Sequence, residues 1–140
     1  MIRIVLDTNV VVSAMLRSGG LPEAVFNLAM NGEIQLYVSE PILAEYEDVL
    51  RRPRLAIDPD KVTVALARIR AAASLVQPVV PVTAAFDPDD NIFLECAEAA
   101  QAHCLVTGNS RHFPERWLAT RILAPRQFMD ARALAADEPA

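Results

Sequence analysis

Hydrophobic and polar positions along this chain change period several times, and each change predicts an element. Ile2, Ile4, Val5 and Leu6 run almost unbroken up to Asp7. A short, β-branched apolar run of this kind reads as a strand buried on both faces, central in a parallel sheet. Thr8 and Asn9 are helix-capping types, so Val10–Leu16 reads as a short helix stopped at Ser18-Gly19-Gly20. A second helix is expected from Leu21-Pro22 to about Met30, ahead of Asn31-Gly32. Ile34, Leu36 and Val38 then alternate with more polar neighbours, the period of a strand. Ser39 can cap the helix that follows, with Pro41 in its first turn, where a missing N–H costs nothing. That helix should end near Arg51-Arg52-Pro53.

The second half reads in the same way. A helix rich in Ala and Leu is expected from about Pro59 to Ser74. Leu75, Val76, Val79 and Val80 suggest a weaker strand, interrupted by Pro78 and Pro81. Asp87-Pro88-Asp89-Asp90 is a strong helix start, with Asp87 as N-cap, Pro88 at N1 and Asp90 at N3, and the helix should reach about Ala102. Cys104–Thr107 is another buried strand, closed by Gly108-Asn109. Ile122-Leu123 predicts a last short strand and Arg126–Leu134 a last helix. Residues 1–134 form one domain without repeats or linkers, and the tail 135–140 is expected to fray. Strands alternating with helices imply an α/β fold whose mostly parallel sheet is covered on both faces. Ligands of such folds bind beyond the carboxyl ends of the strands. Asp7 and the Thr107–Asn109 segment, far apart in sequence, are therefore expected on one rim.

Composition narrows the class. With 140 residues, 53% of them apolar and 22% charged, the chain can bury a core without disulfides or a structural metal. Cys96 and Cys104 are too few for a disulfide framework and read as small buried apolar residues. No apolar run is long enough to span a membrane, and MIRIVLDTN lacks a secretory layout, so a cytoplasmic location is expected. The net charge of −5 argues mildly against nucleic-acid binding, yet clustered acids that hold a cation also make a chain acidic. Lys61 is the only lysine; the other basic residues are arginines, suited to phosphates and to surface ion pairs alike.

The acids are the candidates for chemistry. Asp7 ends a buried strand, either as a cap for the next helix or as a ligand on a rigid element. On the helix after the second strand, Ile42, Leu43, Tyr46, Val49 and Leu50 share one face, and Glu45 and Glu47 border it on opposite sides. The helical wheel does not choose between those two. Asp87, Asp89 and Asp90 suit a first helical turn, but three acids in four residues exceed what capping requires, and a cation would relieve their repulsion. His103, Cys96 and Cys104 match no familiar zinc spacing, and there is no phosphate-binding glycine loop or nucleophile elbow.

Asp7-Thr8-Asn9 after a first strand, Glu45 on a later helix, DPDDNIFLECA at residues 87–97 and LVTGN at 105–109 together resemble the PIN-domain family over nearly the whole chain. The likeness is greatest to the branch that supplies toxins of type II toxin–antitoxin pairs. The resemblance implies a three-layer α/β/α sandwich with a mostly parallel sheet of four or five strands. It implies a Mg²⁺- or Mn²⁺-dependent ribonuclease, acting on RNA, with an antitoxin protein as partner and a homodimeric assembly. Carried over, the family's acids fall on Asp7, Glu45 and Asp90, which selects Glu45 over Glu47, and Asp87 becomes a cap and supporting group. Thr8, Asn9 and Thr107 stand where polar residues of the family support the acids. A fourth acid often follows the Thr-Gly step; here that position is Asn109, a weaker, uncharged oxygen ligand, so one tightly held metal is expected. Hydrolysis would leave a 5′-phosphate and a 3′-hydroxyl. Arg17, Arg51, Arg52, Arg54 and Arg111 are candidates for RNA backbone contacts. Two other readings stand beside this one. A haloacid-dehalogenase-type phosphatase also places an Asp after its first strand but wants a second Asp where this chain has Asn9. A non-catalytic PIN-like binding module would have lost its metal, which Asn109 would permit.

Overall fold

In the computed structural model, residues 1–137 are described, with side chains to residue 134. The chain runs β1 (Arg3–Leu6), α1 (Thr8–Leu16), α2 (Leu21–Met30), β2 (Gln35–Val38), α3 (Glu40–Leu50), α4 (Pro59–Ala72), β3 (Ser74–Leu75), α5 (Asn91–Ala100), β4 (Cys104–Val106), β5 (Arg116–Trp117), β6 (Thr120–Leu123) and α6 (Pro125–Asp137). Short 3-10 turns lie at Pro53–Leu55, Pro88–Asp90 and Ser110–His112. The strands form one sheet in the order β3-β2-β1-β4-β6-β5, parallel throughout except between β5 and β6. This is the expected three-layer α/β/α sandwich, with two-residue strands at both edges bringing the sheet to six.

The centre of the sheet follows from its sequence. Ile4, Val5 and Leu6 of β1 pair with Cys104, Leu105 and Val106 of β4, and all but Cys104 are buried. Strands covered on both faces have no use for alternation, so their runs are continuously apolar. Helix α5 packs on β1, β2 and β4 through Phe93, Leu94, Cys96 and Ala97, all fully buried. Ser39 caps α3 by accepting from the Ile42 N–H, as its sequence implies.

Several boundaries differ from the pattern, each for a physical reason. The expected strand over Leu75–Val80 stops at Leu75, although the Val76 N–H still reaches the Val38 carbonyl. Pro78 and Pro81 cannot donate to a ladder, and Val79 and Val80 are exposed. Helix α1 begins at Thr8, not Val10, so Thr8 and Asn9 are helical residues rather than caps. Pro88–Asp90 forms a 3-10 turn, and Asp90 therefore sits at the N-cap of α5 instead of its third position. Helix α5 ends at Ala100, followed by Gln101 in the left-handed conformation (φ 49°). Strand β5 has no sequence signal; two residues carry no period. Helix α6 continues to Asp137, and residues 138–140 of the expected frayed tail lie outside the described residues.

Candidate active site

Parallel pairing of β1 with β4 brings Asp7 and Thr107 side by side at the carboxyl edge of the sheet. Asp7 occupies the N-cap position of α1, but its carboxylate caps nothing. Its Oδ2 instead accepts from the Thr107 hydroxyl at 2.7 Å and from the Asn9 amide at 3.3 Å. The Asn9 Oδ1 in turn accepts from the Gly108 N–H at 2.9 Å, and the Asn109 N–H donates to Thr107 Oγ1 at 3.0 Å. Asp7 is thus oriented from the end of β4 and from the first turn of α1, which a capping role would not require. Asn9, which stands where the phosphatase class has a second acid, is a connector between the two strand ends.

Glu45 comes from the middle of α3, and the Thr8 hydroxyl donates to its Oε2. The next residue, Tyr46, is fully buried and donates its hydroxyl to the Leu6 carbonyl. This bond ties α3 to the last residue of β1 and sets the height of Glu45 beside Asp7. Glu47 points away, paired with Arg51 at 2.9 Å. The structure thereby separates the two glutamates that the helical wheel left equal.

Asp90 is delivered by the loop before α5, and α5 itself holds that loop. Its Asn91 Oδ1 accepts from the Ala85 N–H at 2.9 Å and its Glu95 Oε2 from the Val82 N–H at 3.0 Å. The Phe86 N–H reaches the His112 carbonyl at 3.0 Å, and Asp87 caps the 3-10 turn through the Asp89 N–H. The Asp90 side chain lies 3.5 Å from His112 Nδ1.

Asp7, Glu45, Asp87, Asp89, Asp90 and Asn109 line one open cleft of about 430 Å³, together with Thr8, Asn9 and His112. Thr107 is buried behind it. Arg52 and Arg54 border the cleft, whereas Arg51 bonds Glu47 and Thr63 elsewhere. Arg111 lies in a neighbouring groove, and Arg17 lines neither the cleft nor that groove.

Burial and mutual repulsion make these acids hard to ionise. Burial, and then the nearby charge of Asp90, push the Asp7 carboxyl from 3.8 up to about 6, against the lowering effect of the Thr107 hydroxyl. Glu45 is raised by burial and by Asp90 and Asp89, against the Thr8 hydroxyl. Asp90 is raised by burial and by Asp87, against His112. A cation between them would remove all three penalties. The donors are oxygens, which suit a hard divalent ion. Among the described residues no three acids, histidines or cysteines already stand at direct ligand spacing. Thr8 holds Glu45, and Thr107 with Asn9 holds Asp7, so each carboxylate keeps its own partner. Mg²⁺ retains several waters and is commonly held by only one or two carboxylates, which such an arrangement can supply.

Four contributors escaped the sequence pattern. Tyr46 reads as one more apolar position on its helix face, and Asn91 and Glu95 carry no local signal that sets them apart. His112 belongs to no recognisable catalytic pattern; its one signal is its place three residues after Asn109 in the same loop.

The sequence profile described as PIN domain matches residues 3–111. An uncharacterized protein of Methanocaldococcus jannaschii is 27% identical over 111 residues, covering 77% of this chain and 71% of that protein. Among solved structures, the crystal structure of VapBC2 from Rickettsia felis bound to a DNA fragment from their promoter superposes with a TM-score of 0.56. It shares 16% identity and covers 87% of this chain and 97% of that one, which is a likeness of fold. With most of its length under the profile and the acid-lined rim at the carboxyl edge of its sheet, the chain belongs to the PIN domain family, whose members are generally nucleases.

Proposed function

We propose that this protein is a metal-dependent endoribonuclease, the toxin of a toxin–antitoxin pair. The observation that supports it most is the Asp7, Glu45 and Asp90 trio, three carboxylates with raised pKa on one cleft, bordered by Arg52 and Arg54. Mg²⁺ or Mn²⁺ would be held by Asp7 and Asp90, directly or through water, with Glu45 and the weaker amide oxygen of Asn109 completing the set. Such an ion, when bound, makes water a better nucleophile and offsets charge on the reacting phosphate. Thr107 and Asn9 keep the Asp7 carboxylate aimed at the cleft, and Thr8 does the same for Glu45. Asp87 supports the turn that carries Asp90. Arg54 makes no ion pair among the described residues and is placed to take a phosphate oxygen. Cleavage leaves a 5′-phosphate and a 3′-hydroxyl.

An antitoxin partner, a homodimer and a cytoplasmic setting belong to the same proposal. The fold shared with VapBC2 supports the first, and no described helix is long and apolar enough to cross a membrane. A neighbouring gene for a small DNA-binding protein whose product binds this chain and stops cleavage is the expected finding. One observation favours a second reading, a binding module without catalysis: Asn109 removes a negative charge where the family often has one. The two separate in one assay. Purified protein with Mn²⁺ or Mg²⁺ should cut RNA, EDTA should stop it, and Asp7→Asn and Asp90→Asn should each abolish it. Parent-like cleavage by both variants rejects the assignment, and RNA binding without cleavage selects the second reading.

A further inference from the structure

A second cavity, about 680 Å³, adjoins the acid cleft on the β6 side of the sheet. Phe86, Arg111, Phe113, Glu115, Arg116 and Arg121 are among its lining residues. Three pairs of chain neighbours straddle the two cavities. Asp87, Asn109 and His112 line the cleft, while Phe86, Ser110 and Arg111 line the groove. The groove is therefore a continuation of the cleft around one short wall of chain.

Its charge is opposite to that of the rest of the molecule. Three arginines face one glutamate here, in a chain whose net charge is −5. Arg116 and Arg121 stand directly opposite each other in the antiparallel register of β5 and β6. Like charges across a strand pair destabilise it. Among the described residues neither arginine forms an ion pair that would offset this, Glu115 included. A like-charge pair left unrelieved beside a third arginine calls for an anion with repeated charges. At the boundary with the cleft stands Phe86, 77% exposed although aromatic, its backbone pinned to the His112 carbonyl. An exposed, backbone-anchored ring next to arginines is the combination that binds an unpaired strand: the ring stacks a base, and the guanidinium groups track the phosphates. A paired base offers no free face to Phe86.

We infer that this groove carries a single-stranded stretch of RNA leading out of the acid cleft, with one base stacked on Phe86 and phosphates on Arg111, Arg116 and Arg121. The inference rests on the ribonuclease reading for the identity of the strand, but its test does not need cleavage. Fluorescence anisotropy in EDTA would follow a labelled RNA of about 12 nucleotides, single-stranded and as a duplex of the same sequence. The single strand should bind more tightly than the duplex. Phe86→Ala should weaken single-strand binding about 5- to 150-fold. The double variant Arg116→Ala, Arg121→Ala should flatten the slope of log affinity against log salt by about 1.4, or roughly 0.7 for each phosphate that is no longer neutralised. Both changes alter exposed or mutually repelling groups, so melting temperatures should be unchanged or higher. Unchanged affinity in both variants, or equal binding of the duplex, overturns the groove. Cleavage with Mn²⁺ is measured alongside. Binding that depends on the groove without any cleavage by the parent protein leaves the groove standing and removes the nuclease reading; intact cleavage with groove-independent binding does the reverse.

Discussion

The acid cleft and the basic groove share a wall of chain yet are built in opposite ways. The cleft places its key carboxylate at the end of the most buried strand, and three of its acids have a neighbour that orients them: Asp7 has Thr107 and Asn9, Glu45 has Thr8, and Asp90 has His112. Its charges are crowded and partly withdrawn from water. The groove uses exposed side chains on the edge strand β5, on its neighbour β6 and on the loop before them, and its arginines are not tied down by any described ion pair. Partly buried, oriented acids suit a task that needs fixed geometry, and loose exposed cations suit holding a strand of variable sequence. Both regions carry unrelieved like charge, which lowers stability unless a counter-charge is bound.

That contrast can be broken at its strongest point first. Asp7→Asn should lower cleavage by at least about 100-fold, since even the outer partners of a metal ligand are worth roughly 10–100-fold. The same variant should leave groove binding in EDTA unchanged or slightly stronger, since it removes a negative charge beside the strand; loss of both would mean that the two regions are not separable. Thr107→Val comes next. It removes the hydroxyl that holds Asp7 Oδ2, so metal affinity, followed by calorimetry, should fall about 10- to 100-fold. Because that hydroxyl lowers the Asp7 pKa, its loss should move the carboxyl further up.

A stability measurement sharpens the comparison at smaller scale. The folded Asp7 carboxyl titrates near 6 and the unfolded one near 3.8. Between those values the folded chain binds a proton that the unfolded chain has released, so stability falls as pH rises through 6. Metal-free Asp7→Asn should match the parent near pH 4 and exceed it at pH 7 by on the order of 2–3 kcal/mol. Urea unfolding in EDTA at the two pH values measures this. A parent protein that outlasts the variant at pH 7 would contradict the burial of an unrelieved charge. A saturating divalent ion should close the gap, adding about 2.7 kcal/mol to the parent at a hundred times its dissociation constant. The smallest effect is expected for Tyr46→Phe. It leaves the Leu6 carbonyl without that donor and should cost about 1–2 kcal/mol, with a modest fall in cleavage as Glu45 loses its fixed height.

Much of this architecture is written in local pattern. The unbroken apolar run before Asp7, the capping Ser39 and the proline-marked helix starts act over a few residues, so β1, α3, α4, α5 and β4 could be read directly, to within a few residues at their ends. The acids could be read as a set as well, since three aspartates in four residues stand out in any context. Their roles could not. Glu45 and Glu47 are equivalent on a helical wheel, and only the packing of α3, with Tyr46 bonded to the Leu6 carbonyl, turns one to the cleft and leaves the other to Arg51. Thr8 and Asn9 looked like helix caps because capping is the commonest local use of such residues; their partners, Glu45 and Gly108, are distant in sequence. The edge strand β5 and the groove it helps to line left no trace, since two-residue strands have no period and a lone Phe86 between Ala85 and Asp87 says nothing of what lies opposite. Composition and period set the layers of the sandwich because they act through neighbours along the chain. Which carboxylates meet, which hydroxyl holds each one and where the arginines face were decided by the sheet order β2-β1-β4-β6, which joins segments a hundred residues apart.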